Sequence, residues 1–264
     1  MKQILGRKQT SPNEQWIDAA KHIEELVTVE ELDRAVATTV EHMKQVISGK
    51  NVAYAWSGGK DSIVLSDICE KNGISDCVFA HAGELEYPEF LTWCLEHKPE
   101  QCEVIDVGLN LEWLAKHPYL LFPRNCRAAY RWYQLVQQTA IRKYFKSHNL
   151  DMILVGHRKA DGNYVGKGSN ISRNGIGVVR YSPLADWSHE LILAYIHYNH
   201  LAIPPIYGWK NGYKCGTHPW PARMYTANID EGFKEVYAID PDAVERAAVY
   251  IPEARHFLKG GDEK

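Results

Sequence analysis

Long apolar runs and paired cysteines are both missing from this sequence. No stretch approaches the ~20 apolar residues that a membrane-spanning helix needs, and the first residues lack the apolar core of a signal peptide. We therefore expect a cytoplasmic protein without a membrane partner. The 6 cysteines among the 264 residues are scattered and form no C-x-x-C pair, which argues against a disulfide scaffold and against a zinc ribbon.

Acidic residues are scarce in the middle of the chain. Between Arg124 and Arg180, eleven Lys and Arg residues face only Asp151 and Asp161, although the whole chain carries a net charge of −3. A basic stretch of this length favours an anionic ligand, either a nucleotide or a nucleic acid. Within it, residues 159–177 are rich in glycine and polar side chains, which predicts a long loop that closes over a site as a lid.

Short apolar runs alternate with helical periodicity over most of the chain. Four runs have the length and composition of buried strands. They lie at 52–56, 77–81, 103–107 and 151–155. Helical spacing separates them, at about 62–72, 88–96 and 128–147. This alternation predicts an α/β fold with an open, mostly parallel twisted sheet and helices on both faces.

The flanking segments indicate how the chain is organised. Thr28 followed by Glu31 forms a capping box, so residues 1–49 are interpreted as an arm and one amphipathic helix. Residues 50–200 would form the α/β domain, and residues 201–264 a loop-rich segment that completes its site. Beyond residue 221 the periodicity is weak, and we expect little helix there.

The strongest chemical signal is the turn Ser57-Gly58-Gly59-Lys60-Asp61-Ser62, directly after the first predicted strand. Gly58 and Gly59 have no side chain to keep a phosphate away from the backbone, and they permit a positive φ. The helix that follows presents its first N–H groups and the positive end of its dipole to the same point. The turn therefore predicts a phosphate-binding site.

The polar side chains of the turn suit a polyphosphate with a metal ion. Lys60 supplies a positive charge, and Ser57 and Ser62 supply hydroxyl donors. Asp61 would repel a phosphate unless a cation lay between them, so we expect Mg²⁺ at Asp61.

The turn resembles the pyrophosphate-binding loop of the ATP pyrophosphatases, the adenine nucleotide α-hydrolase group. Five further segments narrow the resemblance to the phosphoadenosine phosphosulfate (PAPS) reductase-like family. They are His81-Ala82-Gly83-Glu84-Leu85-Glu86-Tyr87-Pro88-Glu89, Arg124-Asn125-Cys126, Val155-Gly156-His157-Arg158, Pro183-Leu184-Ala185-Asp186-Trp187-Ser188 and Pro205-Ile206-Tyr207. Together with the turn they span about residues 52–223.

This resemblance implies that ATP or a related adenine nucleotide lies across the carboxyl ends of the strands. Residues of the turn and of two later strand exits would contact it, namely Ser57, Gly58, Gly59, Lys60, Asp61, Ser62, Ala82, Gly83, Gly156 and Arg158. Lys60 and Mg²⁺ would neutralise the pyrophosphate, and Arg158 would act as the cation near the α-phosphate. A surface salt bridge is the alternative role for Arg158. The candidates for binding the acceptor substrate are Arg124, Cys126, Arg127 and Arg223.

The segment around Cys215 points to a different reaction. Lys214-Cys215-Gly216-Thr217-His218 resembles the Cys-Gly-x-His segment of sulfonucleotide reductases, whose cysteine attacks sulfur. A thiol beside Lys214 and near His218 would be a better nucleophile, so Cys215 and His218 are candidate catalytic residues. A structural role is the alternative for Cys215, as it is for Cys126. The paired cysteines that hold an iron–sulfur cluster in one branch of the family are absent, so no such cluster is expected.

Four functions fit these residues. The leading hypothesis is an ATP-dependent enzyme that releases pyrophosphate by adenylylating an acceptor, in one form as a step of sulfur transfer, because Lys60 and Asp61 suit ATP with Mg²⁺. The alternatives are a thioredoxin-dependent reductase of PAPS or adenylyl sulfate that uses Cys215, a non-catalytic regulator that binds an adenine nucleotide, and a tRNA or DNA thiolation enzyme that uses the basic segment. The sequence identifies neither the acceptor nor a sulfur donor, and it leaves a homo-oligomer open.

Overall fold

A six-stranded sheet forms the centre of the protein. The computed structural model describes residues 1–6, 10–175, 177–224 and 226–260. The strands are β1 Val52–Trp56, β2 Cys77–His81, β3 Cys102–Asp106, β4 Met152–Leu154, β5 Ile171–Arg173 and β6 Val179–Tyr181. They lie in the order β3-β2-β1-β4-β6-β5. Only β5 and β6 pair in antiparallel fashion, so the predicted open, mostly parallel sheet is confirmed.

The helices surround this sheet. In chain order they are α1 Asn13–Lys21, α2 Ile23–Leu26, α3 Val29–Ile47, α4 Lys60–Lys71, α5 Pro88–His97, α6 Leu111–Ala115, α7 Cys126–Tyr133, α8 Thr139–Ser147, α9 His189–Tyr198, α10 Gly212–Cys215, α11 Ile229–Tyr237, α12 Pro241–Tyr250 and α13 Pro252–Leu258. None of the helices in the described part of the chain combines the length and the apolar character that crossing a bilayer requires. The predicted capping box is present at the start of α3. The Thr28 side chain accepts a hydrogen bond from the Glu31 N–H, and the Glu31 side chain accepts one from the Thr28 N–H.

Neighbouring residues of β1 face different apolar cores. Ala53 packs in a cluster with Ile141 and Tyr144 of α8, whereas the next residue, Tyr54, belongs to the larger cluster that includes Val64 of α4. Because side chains alternate between the two faces of a strand, these clusters lie on opposite sides of the sheet. Helices therefore cover both faces, as predicted.

The prediction of little helix after residue 221 is wrong. Side chains of Asn228 and Asp240 cap α11 and α12, and α11 buries Phe233 and Val236. Each of the last three helices is short and packs against the other two. A short helix shows only two or three apolar positions, which explains why the periodicity in the sequence is weak.

Three other boundaries differ from the prediction. Residues 1–49 contain α1 and α2 as well as α3, so this segment holds three helices instead of one. A π-helical turn at Gln134–Gln138 interrupts the helix expected over 128–147. The expected loop 159–177 contains β5, which pairs with β6; its closure as a lid stays a prediction.

Candidate nucleotide-binding site

The glycine turn follows β1, the strand from which the chain adds strands first to one side of the sheet and then to the other. β1 pairs with β2 on one side and with β4 on the other, so the chain extends the sheet outwards from β1 in both directions. At such a switch point a crevice opens outside the carboxyl ends of the strands, where ligands bind in open parallel sheets. The turn follows the carboxyl end of β1 at this point, and Gly156 lies just after the carboxyl end of β4. The two exits touch, because a Cβ atom added to Gly156 would lie 3.1 Å from the carbonyl oxygen of Asp61.

Hydrogen bonds within the turn hold it in shape. Gly58 has a φ of +65°, in the left-handed region that favours glycine. A side chain there would also collide with Cys94 Sγ. Ser62 Oγ accepts the Ser57 N–H at 3.0 Å and donates to the Gly59 carbonyl at 2.9 Å. Because the Ser62 hydroxyl donates its proton within the turn, its role as a hydroxyl donor to a phosphate stays a prediction, as do the roles of Ser57, Gly58 and Gly59.

Lys60 is buried behind the turn. α4 begins at Lys60, two positions earlier than predicted, and the Lys60 side chain is 3% exposed. Lys60 Nζ lies 2.8 Å from Asp61 Oδ2 and 5.4 Å from the centre of a Trp16 ring. Its backbone N–H donates to the Tyr207 hydroxyl at 2.8 Å. To reach a phosphate, the ammonium group would have to leave Asp61.

Arg158 lies at the centre of a buried charge network. The side chain is 0% exposed, so the salt bridges that Arg158 forms are buried and not at the surface, where the alternative placed them. Nε donates to Asp61 Oδ1 at 2.8 Å, Nη2 pairs with Asp161 Oδ2 at 2.9 Å, and Nη1 donates to the Trp187 carbonyl at 3.1 Å. Lys60 and Arg158 together balance the charges of the two carboxylates. The network therefore sets the position of Asp61, and the role of Arg158 near an α-phosphate stays a prediction.

Two histidines beside this network are neutral. Arg158 Nη2 donates to His189 Nδ1 at 3.1 Å, which places the proton of the neutral ring on Nε2. Burial, with repulsion from Arg158, lowers the pKa of His189 to about 4. Burial, with repulsion from Arg180, lowers the pKa of His157 to about 4 as well. Neither ring adds positive charge to the site at pH 7.

Mg²⁺ does not fit Asp61 as this side chain stands. Asp61 Oδ1 accepts from Arg158 and Lys60, and Oδ2 accepts from Lys60. Mg²⁺ needs carboxylate oxygens that are free to coordinate it alongside phosphates and waters. Across residues 1–6, 10–175, 177–224 and 226–260, no three or more His, Cys, Asp or Glu side chains cluster so as to hold a metal. Asp61 would first have to release a cationic partner, so its role as a ligand stays a prediction.

The exit of β2 carries a buried carboxyl group that the sequence did not reveal. Gly83 has a φ of +60°, and the Ala82 N–H donates to Glu86 Oε1 at 2.8 Å. The other oxygen of Glu86 is buried and has no hydrogen-bond partner among the described residues. Burial raises the pKa of Glu86 to about 8. This carboxyl group is therefore protonated at neutral pH.

Glu86→Gln is expected to remove a pH dependence of stability. The pKa of Glu86 is about 8 in the folded protein and 4.5 in the unfolded chain, so folding keeps a proton bound. The stabilisation is complete in acid and is lost as the pH rises towards 8, by about 1.4 kcal/mol per pH unit between these values. Urea unfolding at pH 6 and pH 8 should show a smaller loss in Glu86→Gln than in the wild type. Glu84→Gln, at an exposed neighbour, is the control, and equal losses in the wild type and Glu86→Gln would contradict the assignment.

The segment that contains Cys215 covers the turn. Cys215 ends α10, is buried, and donates from Sγ to the Met224 carbonyl at 3.7 Å. Thr217 lies against the turn, because a Cβ atom added to Gly59 would be 3.3 Å from Thr217 Cγ2. His218 is half-buried in the same segment. The structure thus brings the predicted nucleophile segment to the turn with its thiol buried, and the catalytic roles of Cys215 and His218 stay predictions.

The four candidates for binding an acceptor lie in two different environments. Arg223 is buried, its Nη2 is 3.3 Å from Glu235 Oε2 of α11, and it also donates to the Lys210 carbonyl at 2.6 Å. The other three are exposed at the start of α7: Arg124, Cys126 and Arg127. In the part of the chain that the structure describes, no hydrogen bond or ion pair joins these three to the turn.

Comparison with known families gives one match. The family model for the phosphoadenosine phosphosulfate reductase domain matches residues 51–215, which include the turn, the exits of β2 and β4, and Cys215. No curated protein matches the chain.

Several solved structures match this chain at low sequence identity. A phosphoadenylyl-sulfate (PAPS) reductase from Candida auris, in a phosphate complex, is 19% identical, with a TM-score of 0.49 over 70% of this chain and 94% of that chain. The U34-tRNA thiolase NcsA from Methanococcus maripaludis, with its [4Fe-4S] cluster, is 14% identical, with a TM-score of 0.47 over 87% and 79%. An NH3-dependent NAD synthetase from Campylobacter jejuni, in complex with nitrate, is 13% identical, with a TM-score of 0.45 over 86% and 95%.

Proposed function

This chain belongs to the phosphoadenosine phosphosulfate reductase domain family, and from that membership we propose that it transfers the adenylyl group of ATP to an acceptor and releases pyrophosphate. The nucleotide would lie across the carboxyl ends of β1, β2 and β4, with its phosphates at residues 57–62. The observation that carries the proposal is the position of this turn. It joins β1 to the N-terminus of the 12-residue helix α4 at the switch point of the sheet.

The turn offers what a polyphosphate needs. The first N–H groups of a helix have no partner within the helix, and its dipole favours negative charge there. Gly59, the N-cap of α4, has no side chain that could accept a hydrogen bond from the first N–H groups of the helix. Because Ser62 already bridges Ser57 and Gly59, binding would require little rearrangement of the backbone of the turn, although the Lys60 side chain would move. Such fixed donors stabilise the charge that develops on a leaving pyrophosphate.

In the proposed reaction, the acceptor forms a bond to the α-phosphorus while the bond to the bridging oxygen of the β-phosphate breaks. The electron pair of that bond leaves with pyrophosphate. The described residues contribute binding and orientation: backbone N–H groups of the turn hold the leaving phosphates, and Arg158 holds Asp61 through its hydrogen bond.

Nucleotide titration and a loop variant test this function. We expect the wild type to bind ATP more tightly than AMP in calorimetry, because only ATP has phosphates for the turn. Ser62→Ala, which removes the hydroxyl that fixes the turn, should weaken ATP binding about tenfold. Release of pyrophosphate is then measured with candidate acceptors.

Ser66→Ala is the matched control for this test. Ser66 is buried one turn further along α4 and bonds the Tyr54 hydroxyl at 3.0 Å, away from the glycines. It should leave ATP affinity unchanged. Equal affinity of the wild type for ATP and AMP, or an equal effect of both serine substitutions, would contradict phosphate binding at the turn.

A second candidate function, thioredoxin-dependent reduction of a sulfonucleotide, is favoured by one observation. Thr217, two residues after Cys215, packs against the turn, so the cysteine segment and the proposed phosphate site are neighbours. This function predicts sulfite release from PAPS or adenylyl sulfate in the presence of thioredoxin, with loss of that release in Cys215→Ser. Pyrophosphate release from ATP without any sulfite release would favour adenylyl transfer.

A further inference from the structure

The first backbone N–H of α4 has a neutral side chain as its partner. The Lys60 N–H donates to the Tyr207 hydroxyl at 2.8 Å, in a buried hydrogen bond between residues 147 positions apart. Gly59 supplies no cap of its own. The phenol oxygen therefore lies where the N-terminus of α4 would attract an anion.

Aromatic packing holds Tyr207 in this place. Tyr207 belongs to the 3-10 turn Pro205–Gly208 and is 5% exposed. Its ring lies 4.8 Å from the ring of Tyr213, which in turn stacks on Trp16 of α1 at 5.0 Å. A Cβ atom added to Gly59 would be 3.4 Å from the Tyr207 hydroxyl and 3.3 Å from Thr217 Cγ2. The segment from Tyr207 to Thr217 thus rests directly on the turn.

We propose that the Tyr207 hydroxyl occupies the position of a phosphate oxygen and that a phosphate of the nucleotide displaces it from the Lys60 N–H. The inference rests on the proposed function, because it concerns the same phosphate site. It assigns Tyr207 as a residue that opposes ligand binding, in contrast to the residues that hold the ligand. Displacement would also move the segment that contains Cys215 away from the turn.

The exchange is favourable because the two acceptors differ in charge. A hydrogen bond from an N–H group to an anionic oxygen is about twice as strong as one to a neutral oxygen. The dipole of α4 favours the anion further. Tyr207 stays a neutral phenol, because burial and the nearby charge of Asp61 raise its pKa well above the ordinary value. The phenol can therefore act as a weak substitute for phosphate but cannot match it.

The direction in which one substitution changes ligand affinity distinguishes this role of Tyr207 from two other roles, contact with the ligand and capping of α4 alone. Tyr207→Phe keeps the ring and removes the hydroxyl, which leaves the Lys60 N–H without its present partner. If the hydroxyl competes with phosphate, affinity for ATP and for inorganic pyrophosphate should rise about three- to tenfold. If Tyr207 instead contacts the ligand, affinity should fall, and if it only caps α4, affinity should not change. Either of the last two results would overturn the inference.

Calorimetric titration of the full chain with ATP and with inorganic pyrophosphate measures this effect. Tyr213→Phe is the control, since it removes a hydroxyl from the adjacent ring of the same stack and leaves the bond to Lys60 intact. Binding of ATP by the wild type with no gain in Tyr207→Phe would overturn this inference and leave the proposed function standing. Absence of ATP binding in the wild type would overturn both.

Alkylation of Cys215 gives a second measurement that needs no variant. Cys215 is 2% exposed, whereas Cys126 is exposed. Peptide mass spectrometry after iodoacetamide treatment should show faster labelling of Cys215 when pyrophosphate is present, with labelling of Cys126 unchanged as the internal reference. Unchanged or slower labelling of Cys215 at saturating pyrophosphate would overturn the displacement.

Discussion

Arg158→Met is expected to lower the free energy of unfolding by about 3–5 kcal/mol, because it leaves the buried carboxylate of Asp161 without its cation and leaves Asp61 with Lys60 as its remaining partner. The guanidinium is 0% exposed and pairs with Asp61 and Asp161. Methionine fills a similar volume without a charge, so the loss reports the electrostatic partner and not a cavity. Urea unfolding of the wild type and the variant at pH 7 measures the change.

The neighbouring residue provides the control. Lys159 pairs with Asp186 at the surface, with more than half of each side chain exposed, and exposed pairs contribute at most about 1 kcal/mol. Lys159→Met should therefore be mild. A comparable effect of the two substitutions would refute the network. The double variant Arg158→Met with Asp61→Asn should cost less than the sum of the single substitutions, because the two side chains interact directly.

Gly58→Ala is expected to destabilise the protein by roughly 2–4 kcal/mol and to weaken ATP binding at least tenfold. Two costs combine: alanine in the left-handed region costs about 1 kcal/mol or more, and overpacking a buried site costs about 1–3 kcal/mol. The overpacking arises from contact with Cys94 Sγ, beside the turn. Any relief of the strain moves the backbone N–H groups of the phosphate site, and this movement is the reason for the loss of ATP affinity.

Two further variants separate these costs. Gly73 has a φ of +79° with no atom within 4 Å of an added Cβ, so Gly73→Ala measures the conformational cost alone. Adding Cys94→Ala to Gly58→Ala should recover stability relative to the single variant, since it removes the colliding sulfur. Thermal or urea unfolding of the four proteins is the measurement. If Gly58→Ala is no more destabilising than Gly73→Ala, the tight packing of the turn is refuted.

Local signals predicted the parts of the fold that neighbouring residues determine. The run from Val52 to Trp56 is apolar because β1 is buried on both faces of a parallel sheet. Thr28 and Glu31 lie three positions apart, which is the spacing of a capping box, and the structure contains it. The same approach missed α11 to α13, because each of these short helices depends on packing against the other two. It also placed the start of α4 two residues too late, since helical periodicity does not show that Gly59 is the N-cap of this helix.

The sequence predicted which residues belong to the candidate site but not which of them contact one another. The residues of the turn pointed to Lys60, and the family resemblance pointed to Arg158, as cations that contact phosphate. The structure instead buries both and pairs them with Asp61. Tyr207 was noted only as part of a family signature, and Glu86 only as part of a resembling segment, because neither a hydrogen bond over 147 positions nor a buried protonated carboxyl group leaves a periodic trace in the chain.

The order of amino acids was enough to predict the alternation of strands and helices, a glycine turn before α4 that permits a positive φ, and the family. These depend on the conformational preferences of adjacent residues, which the order of amino acids states directly. The folded structure was needed to show which charges are buried, which pKa values shift, and that a tyrosine hydroxyl accepts the first N–H of α4. Those properties depend on desolvation by distant segments that fold onto the same crevice, and distance along the chain carries no information about that proximity.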